Sequence, residues 1–246
     1  MSEGIITWNG VRSDTLGIKV EKYPNYTKPK RKMDVYNIPG RNGDIIMVQD
    51  AWENVEQKYD IFVDDDAEHS IHDIFTAIAS WLYTPVGYKE LADDFDPDHF
   101  RLAYLEGPVD IESLSIGRAG KATLTFICKP QRFLVSGNVN IIISASDSLS
   151  NPTNFPSKPL VYVSRSAAGS GTVMIGTTTL TISELPANGL YIDCDECRCY
   201  DENKNNMNSY VSSSTGQFPV MASGANSISF TGNISYISVT PRWFDI

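Results

Sequence analysis

The chain has 246 residues, which is enough for one large or two ordinary domains. Hydrophobic residues make up 41% of it and charged residues 20%, a balance that is typical of a globular protein and excludes a disordered one. The formal net charge of −10 disfavours nucleic acid and anionic membranes as partners, because both attract basic surfaces. No apolar run approaches the length of a membrane span, and the N-terminus lacks the pattern of a signal peptide, so we expect synthesis in a cytosol.

The first stretch of the chain is predicted to consist of strands and turns. Residues 5–8 predict a short strand, and Asn9-Gly10 after it is the dipeptide of a tight hairpin turn with positive φ. Residues 16–20 alternate in polarity and predict a half-buried strand. The basic run at 28–32, KPKRK, is interpreted as a solvated loop in preference to a contact with an acidic partner. A second loop, rich in turn residues, is predicted over 38–44.

Residues 70–82 contain the one convincing helical pattern. Their apolar side chains recur at spacings of three and four and so share one face: Ile71, Ile74, Phe75, Ile78 and Leu82. Ser70 and Asp73 predict a weak capping box, and Thr84-Pro85 predicts the end of the helix. Strands are predicted on both sides of it, at 45–48, 59–63, 88–91, 99–105, 109–116 and 122–128. A helix with one apolar face must bury it against a sheet, so the first domain is predicted to consist of strands, one helix and further strands, with the helix packed on a sheet.

The second half is predicted to be entirely β. Near Phe133 the composition shifts towards Ser, Thr, Asn and Gly, and no helical period follows. Three prolines within 151–159 predict a linker or a long loop. Short strands are predicted at 160–163, 172–175, 178–182, 190–194, 209–211, 227–230 and 235–240. This pattern indicates a jelly-roll β-sandwich, and we divide the chain into domains at 1–133 and 134–246.

Patterns that would carry chemistry are few. The C-x2-C-x-C cluster at Cys194, Cys197 and Cys199 lacks the second pair of ligands that a zinc site needs, so it is interpreted as strand cysteines. The D-x-D-x-D sequence at 94–98 lacks the glycine and the final glutamate of a calcium loop and predicts a structural turn. His69 and His72 are interpreted as exposed first-turn histidines. No catalytic residue, metal or cofactor is assigned.

Short motifs along the chain occur in a recognisable order. In the first half they are Trp8-Asn9-Gly10, Leu16-Gly17-Ile18, Ile38–Gly43, Trp81-Leu82, Gly87, Asp94–Pro97, Gly117-Arg118, Leu124–Cys128 and Pro130. In the second half they are Asn151-Pro152, Ser157–Pro159, Ile192–Cys194, Gly216–Pro219, Gly224–Asn226 and Pro241–Trp243. Their order resembles the distal tail proteins (Dit) of siphophages, the long-tailed phages, that infect Gram-positive bacteria. The likeness spans nearly the whole chain, and the cysteine cluster is not part of it.

The resemblance implies a structural virion protein and not an enzyme. Such proteins have an N-terminal β-sandwich with one helix, which assembles into a homohexameric ring, and a second domain that resembles galectins or carbohydrate-binding modules. The ring forms a hub at the distal end of the phage tail, where it joins the major tail (tube) protein to the tail-tip, or tail-associated, protein. It often holds receptor-binding proteins and so serves virion assembly and host attachment. The resemblance implies no cofactor, nucleic acid or membrane.

A ring requires head-to-tail contacts between two different patches of the same domain. Loops 28–33 and 38–44 lie between predicted strands and are candidates for reaching a neighbouring subunit. The residues that we expect at such a contact are Lys28, Lys30, Arg31, Lys32, Pro39, Arg41 and Asn42.

Two other functions stay open from the residues alone. A carbohydrate-binding module would use aromatic faces such as Tyr162, Tyr191, Tyr200 or Trp243, although aromatic side chains are more often core. A β-sandwich glycan hydrolase is the weaker alternative. It needs only two carboxylates from distant strands, and the chain has 30 acidic residues.

Overall fold

The computed structural model of the chain describes residues 4–64, 71–114 and 119–246. It separates into two compact units: unit 1 is Met1–Arg132 together with Ile246, and unit 2 is Phe133–Asp245. The fold is mainly β, and α1 (Ile71–Tyr83) is the only α-helix among the described residues, so the predicted fold class is confirmed at this level. No helix in these ranges is long and apolar enough to cross a membrane.

Ten strands begin in the described part of unit 1: β1 (Ile6–Trp8), β2 (Val11–Arg12), β3 (Ile18–Val20), β4 (Arg31–Tyr36), β5 (Ile45–Trp52), β6 (Val55–Asp64), β7 (Lys89–Asp93), β8 (His99–Leu105), β9 (Glu112–Leu114) and β10 (Ala119–Leu134). Seven of them form one sheet in the order β2-β1-β7-β8-β10-β6-β3, and β9 pairs with β10. β4 and β5 pair only with each other. They therefore stand apart from the sheet that carries the core.

The core of unit 1 forms where α1 meets this sheet. Ile74, Ile78 and Leu82 of the helix are buried in one hydrophobic cluster with Trp8 and Phe126 of the strands. The rings of Trp8 and Phe126 lie 4.9 Å apart between centroids, a distance at which aromatic pairs attract. Of the apolar face predicted for residues 70–82, Ile74, Ile78 and Leu82 are thus buried against a sheet and Phe75 packs partly buried beside them, whereas the side chain of Ile71 is not described. The predicted cap at Ser70, like His69, falls outside the described residues.

The turn at Asn9-Gly10 forms as predicted. Asn9 has φ 50° and Gly10 has φ 80°, the pair of positive values that a type I′ hairpin turn requires. The strand predicted at 122–128 also forms, within β10, and its alternation buries Leu124, Phe126 and Cys128 fully.

Three predicted boundaries in unit 1 are wrong. Leu16 belongs to a 3-10 helix (Ser13–Leu16) that ends at the left-handed Gly17, so the strand begins only at Ile18. Within the described part of 109–116 the strand is only Glu112–Leu114. β10 continues through Pro130. Its pairing with β6 ends at Cys128, so the missing N–H of Pro130 breaks no hydrogen bond between these two strands.

Unit 2 contains eleven more strands: β11 (Ile141–Ile143), β12 (Asp147–Asn151), β13 (Leu160–Arg165), β14 (Gly171–Ile175), β15 (Thr178–Ile182), β16 (Leu190–Asp193), β17 (Arg198–Tyr200), β18 (Val211–Ser213), β19 (Gly224–Gly232), β20 (Ile234–Thr240) and β21 (Phe244–Asp245). Two five-stranded sheets have the orders β11-β20-β13-β16-β17 and β12-β19-β14-β15-β18. Val161 and Ile192 of the first sheet share one hydrophobic cluster with Val173 and Ile228 of the second. Unit 2 is therefore an antiparallel two-sheet sandwich.

In unit 2 the structure decides one open alternative and corrects one prediction. Residues 151–159, predicted as a linker or a long loop, are a long loop within unit 2. Asn151 ends β12, and Ser157 exchanges two backbone hydrogen bonds with Met221. The predicted strand at 209–211 is a 3-10 helix, Asn208–Tyr210, and the strand there follows it as β18.

Candidate subunit interface

An isolated β-hairpin projects as the most exposed structured part of unit 1. We call residues 31–52, which comprise β4, β5 and the loop between them, the arm. Every residue from Arg31 to Asp44 is exposed, as is every residue from Ile46 to Asp50. At about 3.4 Å per residue, the eight residues of β5 span roughly 27 Å. A single two-stranded ribbon is only marginally stable in water, so a ribbon of this length needs support from elsewhere.

One side of the arm carries two opposed apolar pairs. Met33 lies opposite Val48 and Val35 lies opposite Ile46, and directly opposed residues share a face of the ribbon. The exposed fractions of these four side chains are between 40% and 58%. We call them the apolar face. Apolar side chains that stay in water forgo roughly 1.5–3 kcal/mol each relative to full burial, so a partner that covers this face gains stability.

The other side of the arm is mixed. It presents the pairs Asp34–Met47 and Tyr36–Ile45, and the Gln49 side-chain amide donates to the Asp34 carboxylate at 3.0 Å. The two sides of the ribbon therefore differ in chemistry, and the contact that the arm can make is directional.

The base of the arm is closed by local contacts. The register of β4 and β5 shifts between Arg31 and Met33, a bulge that bends the ribbon. The guanidinium of Arg31 lies 4.8 Å from the ring centroid of Trp52, within cation–π range. The N–H of Glu53 donates to the carbonyl of Lys30 at 2.8 Å.

The tip of the arm is a formed turn. The N–H of Arg41 donates to the carbonyl of Ile38 at 3.1 Å, with Pro39 and Gly40 between them. Gly40 has φ 82°, and Pro followed by a glycine with positive φ is the sequence of a type II turn. The tip is therefore rigidly bent by its own sequence.

The segment that leads into the arm is fixed to unit 1 by a buried carboxylate. Asp93 accepts hydrogen bonds from the hydroxyls of Tyr26 and Tyr59, each at 2.6 Å. The N–H groups of Phe95 and Asp96 donate to the same carboxylate at 3.0 and 3.1 Å. Burial and the nearby carboxylate raise the pKa of both tyrosines well above its ordinary value, so both hydroxyls stay protonated donors. Tyr26 is only two residues before the basic run.

The seven residues predicted at a subunit contact all lie in or beside the arm. Lys28 and Lys30 precede β4, and Arg31 and Lys32 are its first two residues. Pro39, Arg41 and Asn42 lie in the connecting loop, and all seven are exposed. The prediction of a loop at 28–33 is wrong from Arg31 onward, because these residues pair with β5.

The apolar face is not evident from the sequence alone. Its signal is the alternation of Met33 and Val35 with Asp34, which is typical of a strand. The nearby KPKRK run favoured a loop, and an eight-residue connection is longer than that of a common hairpin, so the pairing with β5 was not foreseen.

The aspartate and cysteine patterns that imitate metal sites in the sequence do not form metal sites in the described structure. The Asp96 carboxylate accepts from Arg132 at 2.5 Å and lies 2.8 Å from Nδ1 of His99. Cys194 and Cys199 are buried, and burial raises the pKa of the Cys199 thiol to about 12, whereas Cys197 is exposed. Within the described ranges no group of three or more His, Cys, Asp or Glu could hold a metal ion.

Comparison with known proteins finds a partial family match and similar solved structures. A family model described as "Phage tail protein RIFT-related domain" matches residues 13–128, a range that contains the arm. A search of curated proteins finds no match. The chain is similar to the Dit protein of phage SPP1, described as a paradigm of hub adsorption apparatus in Gram-positive infecting phages. The identity is 12%, the TM-score 0.72, and the match covers 96% of this chain and 98% of that one.

Two baseplate structures are also similar. The phage P2 baseplate in its activated conformation with Ca has a TM-score of 0.57 at 7% identity, over 97% of this chain and 98% of that one. The phage p2 baseplate with Sr has a TM-score of 0.55 at 7% identity, over 96% and 97%. The family and these structures are phage tail and baseplate proteins and not enzymes. Residues 13–128 therefore match the model of a phage tail protein RIFT-related domain, and the chain has the fold of the SPP1 Dit protein.

Proposed function

We propose that the chain is the hub subunit at the distal end of a long phage tail, and that it works as a homohexameric ring built from unit 1. In this ring the arm of each subunit packs its apolar face against the next subunit. The contact is head-to-tail, so it closes by rotation and uses two different patches of the same unit. The exposed apolar face is the observation that carries this proposal, because an isolated ribbon with one apolar side gains stability only when something covers it.

The basic run at the base of the arm supports the same contact. Four of the chain's 20 Lys and Arg residues fall within positions 28–32, although the net charge of the chain is −10. A locally basic segment on an acidic protein is attracted to the rest of a second copy, and this attraction speeds and orients assembly. Salt weakens such attraction, so ring formation should slow as ionic strength rises.

The ring joins the major tail (tube) protein to the tail-tip protein, and the protein is made in the host cytoplasm before it enters the virion. In the same proposal unit 2 is a galectin-like sandwich that faces outward and supports receptor-binding proteins during host attachment. The division of roles follows the two compact units, since the arm belongs to unit 1 and the two-sheet sandwich to unit 2. No nucleic acid or membrane takes part.

The test is the oligomeric state of the purified chain and of arm variants. Sedimentation velocity gives the mass of the assembly, and negative-stain electron microscopy shows whether it is a ring. The double variant Val35→Asp/Ile46→Asp places two carboxylates on the apolar face and should leave a folded monomer. The matched control is Val86→Asp, because Val86 is 85% exposed, lies in unit 1 and is outside the arm.

The circular dichroism spectrum of all variants should match the wild type, because the changed positions are exposed. The control Val86→Asp should also unfold at the wild-type temperature, whereas the double variant should unfold at a lower temperature because it loses the stabilisation that assembly supplies. A wild-type chain that stays monomeric at micromolar concentration would contradict the ring. A ring that survives the double variant would contradict the role of the arm. Charge reversal of Lys28, Lys30 and Lys32 is a sharper test of the basic run than its deletion, since a deletion would remove the first residues of β4.

A further inference from the structure

Two cysteines enclose the turn of one hairpin in unit 2. Cys194 and Cys197 are the first and last residues of the four-residue turn that joins β16 to β17, with Asp195 and Glu196 between them. Cys199 lies in β17 itself. All three are free thiols, and of the three only Cys199 is a strand cysteine as predicted from the sequence.

The register of the hairpin sets Cys194 opposite Cys197. Asp193 pairs with Arg198, so one step further along both chains brings the two cysteines face to face. The N–H of Cys194 donates away from β17, to the carbonyl of Pro159 at 3.1 Å. The two cysteines therefore take the place of a non-hydrogen-bonded pair, in which antiparallel Cα atoms are about 4.5 Å apart. Sγ of Cys197 lies 3.8 Å from the carbonyl oxygen of Cys194, so the two residues are in contact.

This arrangement suits a disulfide between Cys194 and Cys197 and not one that includes Cys199. Bridged cysteines have Cα atoms about 4.4–6.8 Å apart, a range that contains the spacing of such a pair. Cys199 lies opposite Ile192, so it is only a diagonal neighbour of Cys194. Diagonal Cα atoms are about 7–8 Å apart, which is too far for a bridge without movement of the backbone.

The backbone of the turn does not explain why Cys197 is a cysteine. Its φ is 51°, in the left-handed region that favours glycine. A residue that departs from the local preference points to a function of its side chain. The side chain of Cys197 therefore needs a role other than forming the turn.

The two thiols differ in their access to solvent. Cys197 is exposed, whereas Cys194 is 2% exposed. A dissolved reagent therefore meets Cys197 first, and Cys194 can react only with its neighbour in the turn. Burial raises the pKa of the Cys194 thiol, so its thiolate is scarce at neutral pH and its reaction is slow.

We propose that Cys194 and Cys197 form a thiol–disulfide exchange site that is oxidised by a low-molecular-weight disulfide such as oxidised glutathione. The Cys197 thiolate attacks one sulfur of the small disulfide, forms a mixed disulfide and releases the first small thiol. The Cys194 thiolate then attacks the sulfur of Cys197 and releases the second. Two protein thiols become one disulfide, one small disulfide becomes two thiols, and the two protons pass through water to those thiols.

The new bond ties the tip of the hairpin. The turn is otherwise held by the N–H groups of Asp195 and Glu196, which donate to the Asp193 carboxylate at 3.0 and 3.2 Å. A cytosol keeps thiols reduced, so the bond forms only in oxidising surroundings. This inference rests on unit 2 alone and does not depend on the ring proposed for unit 1.

The experiment treats the reduced full chain with oxidised glutathione at about pH 8 and follows its free thiols and intact mass. The native chain should lose two of its four thiols without retaining glutathione. Trypsin cuts after Arg198 and separates Cys199 from the pair, so a bond between Cys194 and Cys197 lies within one peptide. The intramolecular step should be about tenfold faster at pH 8 than at pH 7, because the thiolate fraction of Cys194 rises with pH below its raised pKa.

Two variants serve as a matched pair. Cys197→Ser, at an exposed position, should lose no thiol, and Cys199→Ala should form the bond as the wild type does. The proposal is overturned if the native wild type keeps four thiols, if glutathione stays on Cys197, or if the bond joins two tryptic peptides. A bond between the Cys197 residues of two chains, seen as a dimer on a non-reducing gel, also overturns it.

Should Cys199→Ala fail to fold, the tryptic map of the wild type decides the question. The oligomeric state is measured on the same samples, so a failure here is separate from a failure of the ring.

Discussion

Asp93 offers a direct test of how the arm is held to unit 1. Its carboxylate receives four hydrogen bonds, two from tyrosine hydroxyls and two from backbone N–H groups. Asp93→Ala removes the acceptor for all four. Because Tyr26 precedes the arm by only a few residues, the same change also frees the root of the arm from the sheet.

The loss of unfolding free energy depends on which of the four donors can form a hydrogen bond with water instead. The Tyr59 side chain is buried, with 2% of its surface exposed, so its hydroxyl is left unsatisfied at a cost of about 1–3 kcal/mol. Tyr26 is half-buried and can turn towards solvent, so it loses only the net value of a charged hydrogen bond, about 1.5 kcal/mol. The relief of a buried charge offsets part of the remaining loss. We expect Asp93→Ala to lower the free energy of unfolding of unit 1 by about 3 kcal/mol, and Tyr26→Phe by about 1 kcal/mol.

The assay is urea unfolding followed by tryptophan fluorescence, because three of the four tryptophans (Trp8, Trp52 and Trp81) belong to unit 1. The matched control is Asp94→Asn, the exposed neighbour, which should change stability by less than about 0.5 kcal/mol. Hydrogen exchange of the backbone N–H groups in β4 and β5 reports whether the arm has loosened. If Asp93→Ala and Asp94→Asn unfold at the same urea concentration, the reasoning about the buried carboxylate is refuted.

Three further outcomes are expected. Phe126→Ala should destabilise unit 1 by about 4 kcal/mol in urea unfolding, because the fully buried ring leaves a cavity against Trp8, and Phe126→Leu should cost less. Burial acts to raise the pKa of Asp193, but hydrogen bonds from Arg242 at 2.8 and 2.9 Å hold this pKa below its ordinary value. The ion pair therefore stabilises the fold above about pH 4, and its contribution is lost as the pH falls through the lowered pKa. Arg242→Ala should therefore destabilise unit 2 by about 2 kcal/mol at pH 7, and by urea unfolding the difference should vanish towards pH 2. Of the four cysteines only Cys197 is exposed, so a thiol reagent should label one site in the native chain and four after denaturation; rapid labelling of more than one native thiol would contradict the burial of the others.

Local sequence patterns predict the parts of the fold that depend on interactions between residues close in the chain. The apolar spacing over 70–82 predicted α1 to within one residue at its C-terminal end, because an amphipathic face needs no distant partner to be recognised. The turn at Asn9-Gly10 and the inward face of β10 followed in the same way from residue type and the two-residue period of a strand. Residues 38–44 were also recognised as a turn-rich loop from Pro39 and Gly40 alone.

Pairing between distant strands was decided only by the tertiary structure. Residues 31–33 were assigned to a loop because a basic, proline-containing run is usually solvated, and only their register with β5 shows a ribbon with one apolar face. The sequence named Tyr162, Tyr191, Tyr200 and Trp243 together as aromatics of the second half. The structure brings the three tyrosines into one row and adds Tyr236, whereas Trp243 follows β20 and its carbonyl accepts from Leu134.

The sequence by itself determined that this is a mainly β protein with one helix, and its motifs pointed to the distal tail proteins. The tertiary structure decided which side chains stand together at the arm, at Asp93 and along the row of tyrosines in unit 2. The physical reason is that the helix and the turns are stabilised by neighbours three or four residues away. The arm and the row of tyrosines in unit 2 depend instead on strand registers, which in β13 and β20 join residues up to 80 positions apart. The contacts of Asp93 join residues 67 and 34 positions apart, and neither arrangement has a local signature.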